Sequence, residues 1–419
     1  MNILVVVEDI RINKTSAGIC NSNIIKVLLD NNHNLHCLYD YAEGVNFPWL
    51  QFSPNITMET LTVKSIASWK LKLFKIPKIQ AISSYLTGFS FLTWHKINAW
   101  KKNIQKIVDT QNSYDCILVL GAGNSMLNFF AMPKIKTQIP YVVNYHDPYP
   151  MHLYPIPYKM KRSWVSKLQQ KQSNKVMEKA FYVSFPSQRL QEWMLQYHPI
   201  LKDKSIVLPH PHGNLQNLQN LPIDKEILLN REKFTILHTG SWLRPRNPIF
   251  LFEAFEKFIG NDLQKKKLAQ LVIIGSVLKD NNLSKITTKT NQNESIRVIR
   301  DRISYKHSVE LLQSASVLLL LEAVAKDSPF MPGKLTDYIN ANKPIIALTS
   351  KNSETVRLLG NSYPYHTETD NVIAIQEILE SLWNKWLKGD LNKFENLELK
   401  KYTSSTQWNS KFNTLFKNV

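Results

Sequence analysis

Residues 316–348 read SVLLLLEAVAKDSPFMPGKLTDYINANKPIIAL. An apolar run of strand length (316–321) leads into a polar, proline-containing connection. Pro332 and Gly333 then open a short helical pattern. It stops at Asn342-Lys343-Pro344, where an asparagine that tolerates the left-handed conformation is followed by a breaker. A second apolar run (344–348) closes the stretch. Short continuous apolar runs suit strands covered on both faces, and a helix between two of them makes a βαβ unit with parallel strands.

The same alternation extends outward in both directions. The first half carries ILVVV (3–7), a glycine-containing loop with a helical pattern over 18–31, LHCLY (35–39), CILVLG (116–121), YVVNY (141–145), AFYVSFPS (180–187) and SIVLP (205–209). A polar segment, 213–233, reads as a linker. Beyond it come FTILHTG (234–240), a helix over 248–259, LVIIG (271–275), IRVI (296–299) and a helix over 306–314. The expected class is α/β, with two consecutive Rossmann-like parallel domains at 1–222 and 223–398, whose ligands bind at the carboxyl ends of the strands. Trp408, Phe412 and Phe416 share one face of a last helix in 399–419, which is expected to pack back on the N-terminal domain.

Length and composition agree with that division. A chain of 419 residues and 48.6 kDa is long enough for two cores, and 43% hydrophobic residues can fill them. Cys20, Cys37 and Cys116 are scattered and odd in number, so neither a disulfide framework nor a metal knuckle is expected, and a reducing cytoplasm fits. MNILVVVEDI reads as a strand rather than a signal peptide, and no run approaches the roughly 20 apolar residues that span a bilayer.

The net charge of +19 is unevenly placed. Between Glu59 and Asp109 there is no acid but nine lysines, interleaved with Trp69, Phe74, Tyr85, Phe89, Phe91, Trp94 and Trp100. The interval from Asp147 to Glu178 is also acid-free and basic. Lysine beside large aromatics is the composition of a surface that meets anionic phospholipid, and a solvated basic face is the plainer alternative. No nucleic-acid module signature accompanies it, so nucleic acid is not an expected partner.

Four motifs carry candidate chemistry. LGAGNS places Gly121 and Gly123 after a strand, but Met126 stands where a dinucleotide fingerprint needs its third glycine, so a tight turn accounts for both. ILHTGSWLRPRNP ends a strand at Gly240 and carries Arg244 and Arg246 before Asn247 and Pro248, which read as N-cap and first helical turn. A glycine, two arginines and a helix start together favour a phosphate. In the stretch quoted first, Lys334 sits in the first turn of a helix, where the dipole disfavours a cation unless an anion is bound there. Asp337, at i+3, shares its face and can accept hydrogen bonds from two ribose hydroxyls; an incidental surface pair is the alternative. Finally, His146-Asp147 follows a strand end, as a proton-exchanging or hydroxyl-binding histidine or as a structural turn. His210 and His212 lack a third ligand, so no metal site is expected.

Taken together, LHTGSWLRPRNP and, some way on, FMPGKLTDYINANKPIIAL resemble the nucleotide-binding half of GT-B glycosyltransferases. The likeness is to the family 4 group (glycosyl transferases group 1) that acts in bacterial surface polysaccharide assembly. INKTSAGICNSNIIKVLLDNNHNLHCLY resembles that fold's first loop and helix. The resemblance implies retaining, hexosyltransferase-like transfer from a nucleotide diphosphate sugar to a hydroxyl of a glycan or lipid-linked acceptor. No cofactor is implied, and no metal, because basic groups hold the diphosphate. It matches Arg246 and Lys334 to the family's basic pair, Asp337 to the ribose-binding acid and Gly18 to a loop glycine near the phosphates. His146 matches a histidine beside the donor sugar, and the base is expected against Arg302 and Ile303. Gly240, Arg244 and Gly333 complete the expected donor site. Two positions depart from the family: Pro329 stands where many members carry a glutamate, and Ser241 where they carry the first cation. The expected location is cytoplasmic and peripheral, on the inner face of the membrane, with the basic N-terminal domain against anionic lipid. The alternative is a non-catalytic sugar-nucleotide-binding or scaffold protein of the same fold.

Overall fold

The computed structural model describes residues 1–40, 53–111, 113–123, 125–212, 227–240, 245–276, 293–391, 394 and 396–416. Contacts divide the chain into two compact units. One comprises Met1–Tyr154, Tyr158–Pro211 and Ser404–Val419, the other Pro155–Pro157 and His212–Thr403.

The first unit contains strands β1 (Asn2–Val7), β2 (Asn34–Tyr39), β3 (Ile56–Thr60), β4 (Cys116–Leu120), β5 (Tyr141–Asn144), β6 (Tyr182–Phe185) and β7 (Ser205–Val207). Its helices are α1 (Ser16–Asp30), α2 (Ser68–Lys75), α3 (Pro77–Thr87), α4 (Phe91–Thr110), α5 (Leu127–Ala131), α6 (Trp164–Lys179) and α7 (Gln188–Leu195). The strands form one sheet in the order β3-β2-β1-β4-β5-β6-β7, every pair parallel. Every residue of β4 is buried, as a strand with both faces covered requires. Hydroxyl caps start the main crossover helices: Thr15 on α1, Ser90 on α4, Ser163 on α6 and Ser187 on α7 each accept from a first-turn amide.

The second unit holds β8 (Phe234–Thr239), β9 (Ala269–Ile274), β10 (Ile296–Ile299), β11 (Val317–Leu321), β12 (Asp327–Ser328), β13 (Ile345–Leu348), β14 (Asn352–Ser353) and β15 (His366–Thr367). Its helices are α8 (Ile249–Ile259), α9 (Leu263–Leu268), α10 (Tyr305–Ser314), α11 (Gly333–Ala341), α12 (Glu354–Leu359), α13 (Val372–Leu387) and α14 (Leu397–Tyr402). The main sheet, again all parallel, runs β10-β9-β8-β11-β13-β15, and β12 pairs with β14 apart from it. Both sheets begin with the doubly wound order, so the chain reverses direction between β1 and β4 and again between β8 and β11. The crevice outside the carboxyl ends at such a reversal is where these folds bind ligands.

A last helix, α15 (Ser405–Thr414), returns to the first unit. Trp408 and Phe412 are fully buried in the cluster that includes Ile24, Ile25 and Leu28 of α1, and their rings stack at 5.2 Å. Asn409 meets His33 at 2.8 Å and Ser405 meets Asn31 at 3.0 Å. The two-domain α/β class of GT-B type, with parallel sheets, is therefore the class observed.

One local reading changes. Helix α8 starts at Ile249, with Pro248 rather than Asn247 in the cap position, and Asn247 Oδ1 accepts from the Ile249 amide at 3.1 Å. In contrast, Asn342 ends α11 in the left-handed conformation (φ 54°), as its position before Lys343-Pro344 implies.

Candidate functional site

Strand β8 delivers His238, Thr239 and Gly240 to the reversal point of the second sheet. His238 is buried, and its Nδ1 lies 2.9 Å from the Leu319 carbonyl oxygen of β11. A carbonyl only accepts, so Nδ1 carries the proton and Nε2 keeps its lone pair. Burial, with Lys334 and then Arg246 adding to it, pushes the imidazole down to about 3, so it is neutral. Gly240 donates its amide to Ile274 of β9 at 2.7 Å. A Cβ at position 240 would collide with the flexible end of the Lys334 side chain, so the glycine leaves room for that ammonium against the strand end.

Lys334 is the second residue of α11, whose inner face buries Leu335, Tyr338 and Ile339. Pro332 caps this helix without a side-chain hydrogen bond, and its first turn carries no acidic residue. Half-buried Asp337 accepts from Tyr305 Oη at 2.6 Å. Desolvation pushes its carboxyl up to about 6, against the pull of the Tyr305 hydroxyl and the Lys334 charge. Tyr305 opens α10, two residues past Ile303, so this bond ties the loop after β10 to α11.

Buried Glu322 stands at the carboxyl end of β11 and accepts from Thr355 Oγ1 at 2.9 Å and from the Ser328 hydroxyl. Burial raises its carboxyl, while Ser328 and the Arg246 charge pull it down. Arg246 thus acts on both His238 and Glu322, and Lys334 on both His238 and Asp337. Gly240, Arg246, Gly333, Lys334 and Asp337 therefore share one neighbourhood. Arg302 is exposed just beyond β10, and Ile303 packs partly buried on the core. Arg244, like Ser241, lies outside the described residues. His238, Glu322 and Tyr305 were not expected: the first reads as part of a strand and the second as the end of an apolar run.

The first unit holds the other expected residues, Gly18 and His146. Gly18 lies in α1, where its amide donates to Thr15 Oγ1 at 2.9 Å, and a Cβ there would come within 2.5 Å of the Arg11 carbonyl oxygen. Helix packing and capping thus account for this glycine. His146 is buried beside His210, ring centroids 5.1 Å apart, and burial pushes it down to about 4. Its Nε2 has no hydrogen-bond partner among the described residues. Gly123 takes φ 59° in the turn after β4, the conformation a tight turn asks of glycine. Glu8, just past β1, accepts from Ser125 Oγ at 2.9 Å and the Leu127 amide at 3.0 Å. Its carboxyl is pushed up to about 7 by desolvation, with those two bonds opposing.

Among the described residues no group of three or more His, Cys, Asp or Glu could hold a metal ion. A cavity of about 570 Å³ opens at the amino ends of the second sheet, lined by Arg231, Ser316, Asn342 and Pro344, away from these side chains.

No protein-family model matches the sequence, and no curated protein is similar to it in sequence. Solved structures are similar in fold. An alpha,alpha-trehalose 6-phosphate synthase from Burkholderia multivorans superimposes with a TM-score of 0.65 at 12% identity, covering 100% of this chain and 98% of that one. A UDP-forming alpha,alpha-trehalose-phosphate synthase from Burkholderia vietnamiensis gives 0.66 at 11% identity with both chains fully covered (100% of each). One from Burkholderia xenovorans, in complex with glucose-6-phosphate, gives 0.64 at 8% identity over 99% of this chain and 100% of that one. At these identities the likeness is one of fold.

Proposed function

We propose that this chain is a retaining glycosyltransferase that moves a sugar from a nucleotide diphosphate sugar to a hydroxyl of a glycan or lipid-linked acceptor in cell-surface polysaccharide assembly. The observation that carries the reading is the end of the Lys334 side chain against Gly240 at the reversal point of a parallel sheet, with the charge of Arg246 acting on the same His238. Cleaving the donor leaves a nucleoside diphosphate, and its developing negative charge is what a catalyst must stabilise. Two cations, a side-chain-free backbone and a helix amino end suit that task without a bound metal. Asp337, held by Tyr305, accepts the ribose hydroxyls when ionised. By the family resemblance His146, kept neutral by burial, would stand beside the donor sugar and assist transfer. The UDP-forming neighbours make UDP the first nucleotide to test and a sugar phosphate an acceptor to include beside glycans.

A lipid-linked acceptor would suit a cytoplasmic protein at the inner face of the membrane. No helix of the described residues is long and apolar enough to cross a membrane. One observation favours the second reading, a non-catalytic sugar-nucleotide-binding protein. Pro329 offers no carboxylate to the donor sugar, and the Ser328 hydroxyl is spent on Glu322.

A thermal-shift screen with UDP, GDP, ADP and dTDP and their sugars tests the donor, because a ligand of the folded state raises its stability. Stabilisation by a nucleotide, followed by transfer to an acceptor panel, is the expected result. Stabilisation without turnover would assign the second reading, and no stabilisation by any of them would overturn both.

A further inference from the structure

Helices α2 and α3 lie between β3 and α4, and α2 buries none of its residues. Trp69, Leu73 and Ile76 follow one another at helical spacing, and Trp69 is 63% exposed. In α3, Ile82, Tyr85 and Leu86 form a second stripe, with Leu86 at 69% exposure. This is no loose end of the fold. Gly88, in the left-handed conformation (φ 89°), lets α3 close on α6, and Gln169 of α6 donates to the Gly88 carbonyl at 3.0 Å. At the start of α6 the exposed Trp164 donates to the Tyr85 carbonyl at 2.8 Å, its ring 6.0 Å from that of Tyr85. The first unit thus exposes several large apolar side chains on helices tied to one another by hydrogen bonds, a feature that marks interaction surfaces when such side chains cluster.

Its charge indicates the occupant. Lys70, Lys72, Lys75 and Lys78 are exposed among these apolar side chains, Lys161, Arg162 and Lys167 lie around Trp164, and both stretches contain no acid. Protein interfaces are rich in aromatics but depleted in lysine. At a bilayer surface the two coincide, tryptophan and tyrosine sitting at headgroup depth while lysines reach anionic phosphates.

We propose that α2, α3 and the amino end of α6 form a docking face for an anionic phospholipid bilayer, with Trp69, Leu86 and Trp164 entering the headgroup layer and the surrounding lysines meeting lipid phosphates. This deepens, and for its biological purpose rests on, the reading of a transferase acting at a membrane. The binding itself does not depend on donor turnover.

Co-sedimentation with phosphatidylcholine vesicles, with and without phosphatidylglycerol, tests it. The wild-type protein should bind the anionic vesicles at low salt, release at high salt, and bind pure phosphatidylcholine weakly. Two variants separate the contributions: Trp69→Ser with Leu86→Ser, and Lys70→Glu with Lys72→Glu and Lys75→Glu. Each should lower vesicle affinity roughly tenfold or more, while keeping the far-UV circular dichroism and any nucleotide-induced shift in Tm. Wild-type failure to bind anionic vesicles at low salt, or undiminished binding by both variants, would overturn the proposal. So would a loss confined to the lysine variant and matched by its loss of duplex DNA binding, which would assign the face to nucleic acid. Vesicle binding without any nucleotide shift would leave this face standing and remove the transferase reading.

Discussion

The ammonium end of Lys334 occupies the space that any side chain at position 240 would need. A strand end and a helix start, far apart in sequence, are thus fitted to each other at the mouth of the second sheet. Gly240→Ala should displace the lysine. The displaced atoms end a flexible chain, so the stability cost should stay below about 1 kcal/mol, while affinity for UDP falls roughly tenfold. Chemical denaturation and calorimetric titration measure the two effects separately.

Lys334→Ala and Arg246→Ala should each lower transfer by roughly 100-fold or more, the usual loss when a group stabilising transition-state charge is removed. Neither side chain belongs to a hydrophobic core cluster, so Tm should change little. Turnover close to wild type in either variant would refute the site assignment.

Asp337 titrates near 6, and only its ionised form accepts two ribose hydroxyls. Affinity for UDP-glucose, whose diphosphate does not titrate there, should be steady above neutrality. It should then fall by up to roughly tenfold per unit as pH drops below the carboxyl's pKa. Asp337→Asn should bind weakly with no such slope. An identical pH profile in wild type and variant would show that Asp337 does not contact the nucleotide.

Glu8 makes the opposite kind of prediction, about stability. Its carboxyl is raised from 4.5 to about 7 in the folded protein, so the native state holds its proton more tightly than the unfolded chain does. The associated stability is fully present below 4.5 and is lost as pH rises through about 7. Glu8→Gln keeps an acceptor for Ser125 and Leu127 and removes the cost of a buried charge. It should gain about 3 kcal/mol over wild type above pH 7 and little near pH 4. Thermal unfolding across that range provides the check.

Helix α15 should be part of the first unit's stability. Trp408 and Phe412 are 1% and 0% exposed. Trp408→Ala should therefore cost about 3–5 kcal/mol, read as a lower urea midpoint.

Much of the scaffold was legible because strand and helix signals are local. Runs such as CILVL and IIAL have no polar face, and only strands covered on both sides tolerate that. Strand β3 escaped notice because it is a half-exposed edge strand with a mixed sequence, and β12, β14 and β15 because two residues carry no periodicity. The space around Gly18 was not legible either: only the folded backbone reveals that Arg11 fills the room a side chain there would need.

The amino-acid sequence alone determined the alternation of strands and helices, the break between two α/β halves, and the cation and acid that α11 carries on one face. Those properties follow from periodicity, capping and turn chemistry acting over a few neighbouring residues. The tertiary structure decided that β8 lies beside β11, and hence that His238, Gly240, Arg246, Glu322 and Lys334 share one neighbourhood. Strand order is set by which long-range pairings bury the most apolar surface together, and no local window of sequence contains that information.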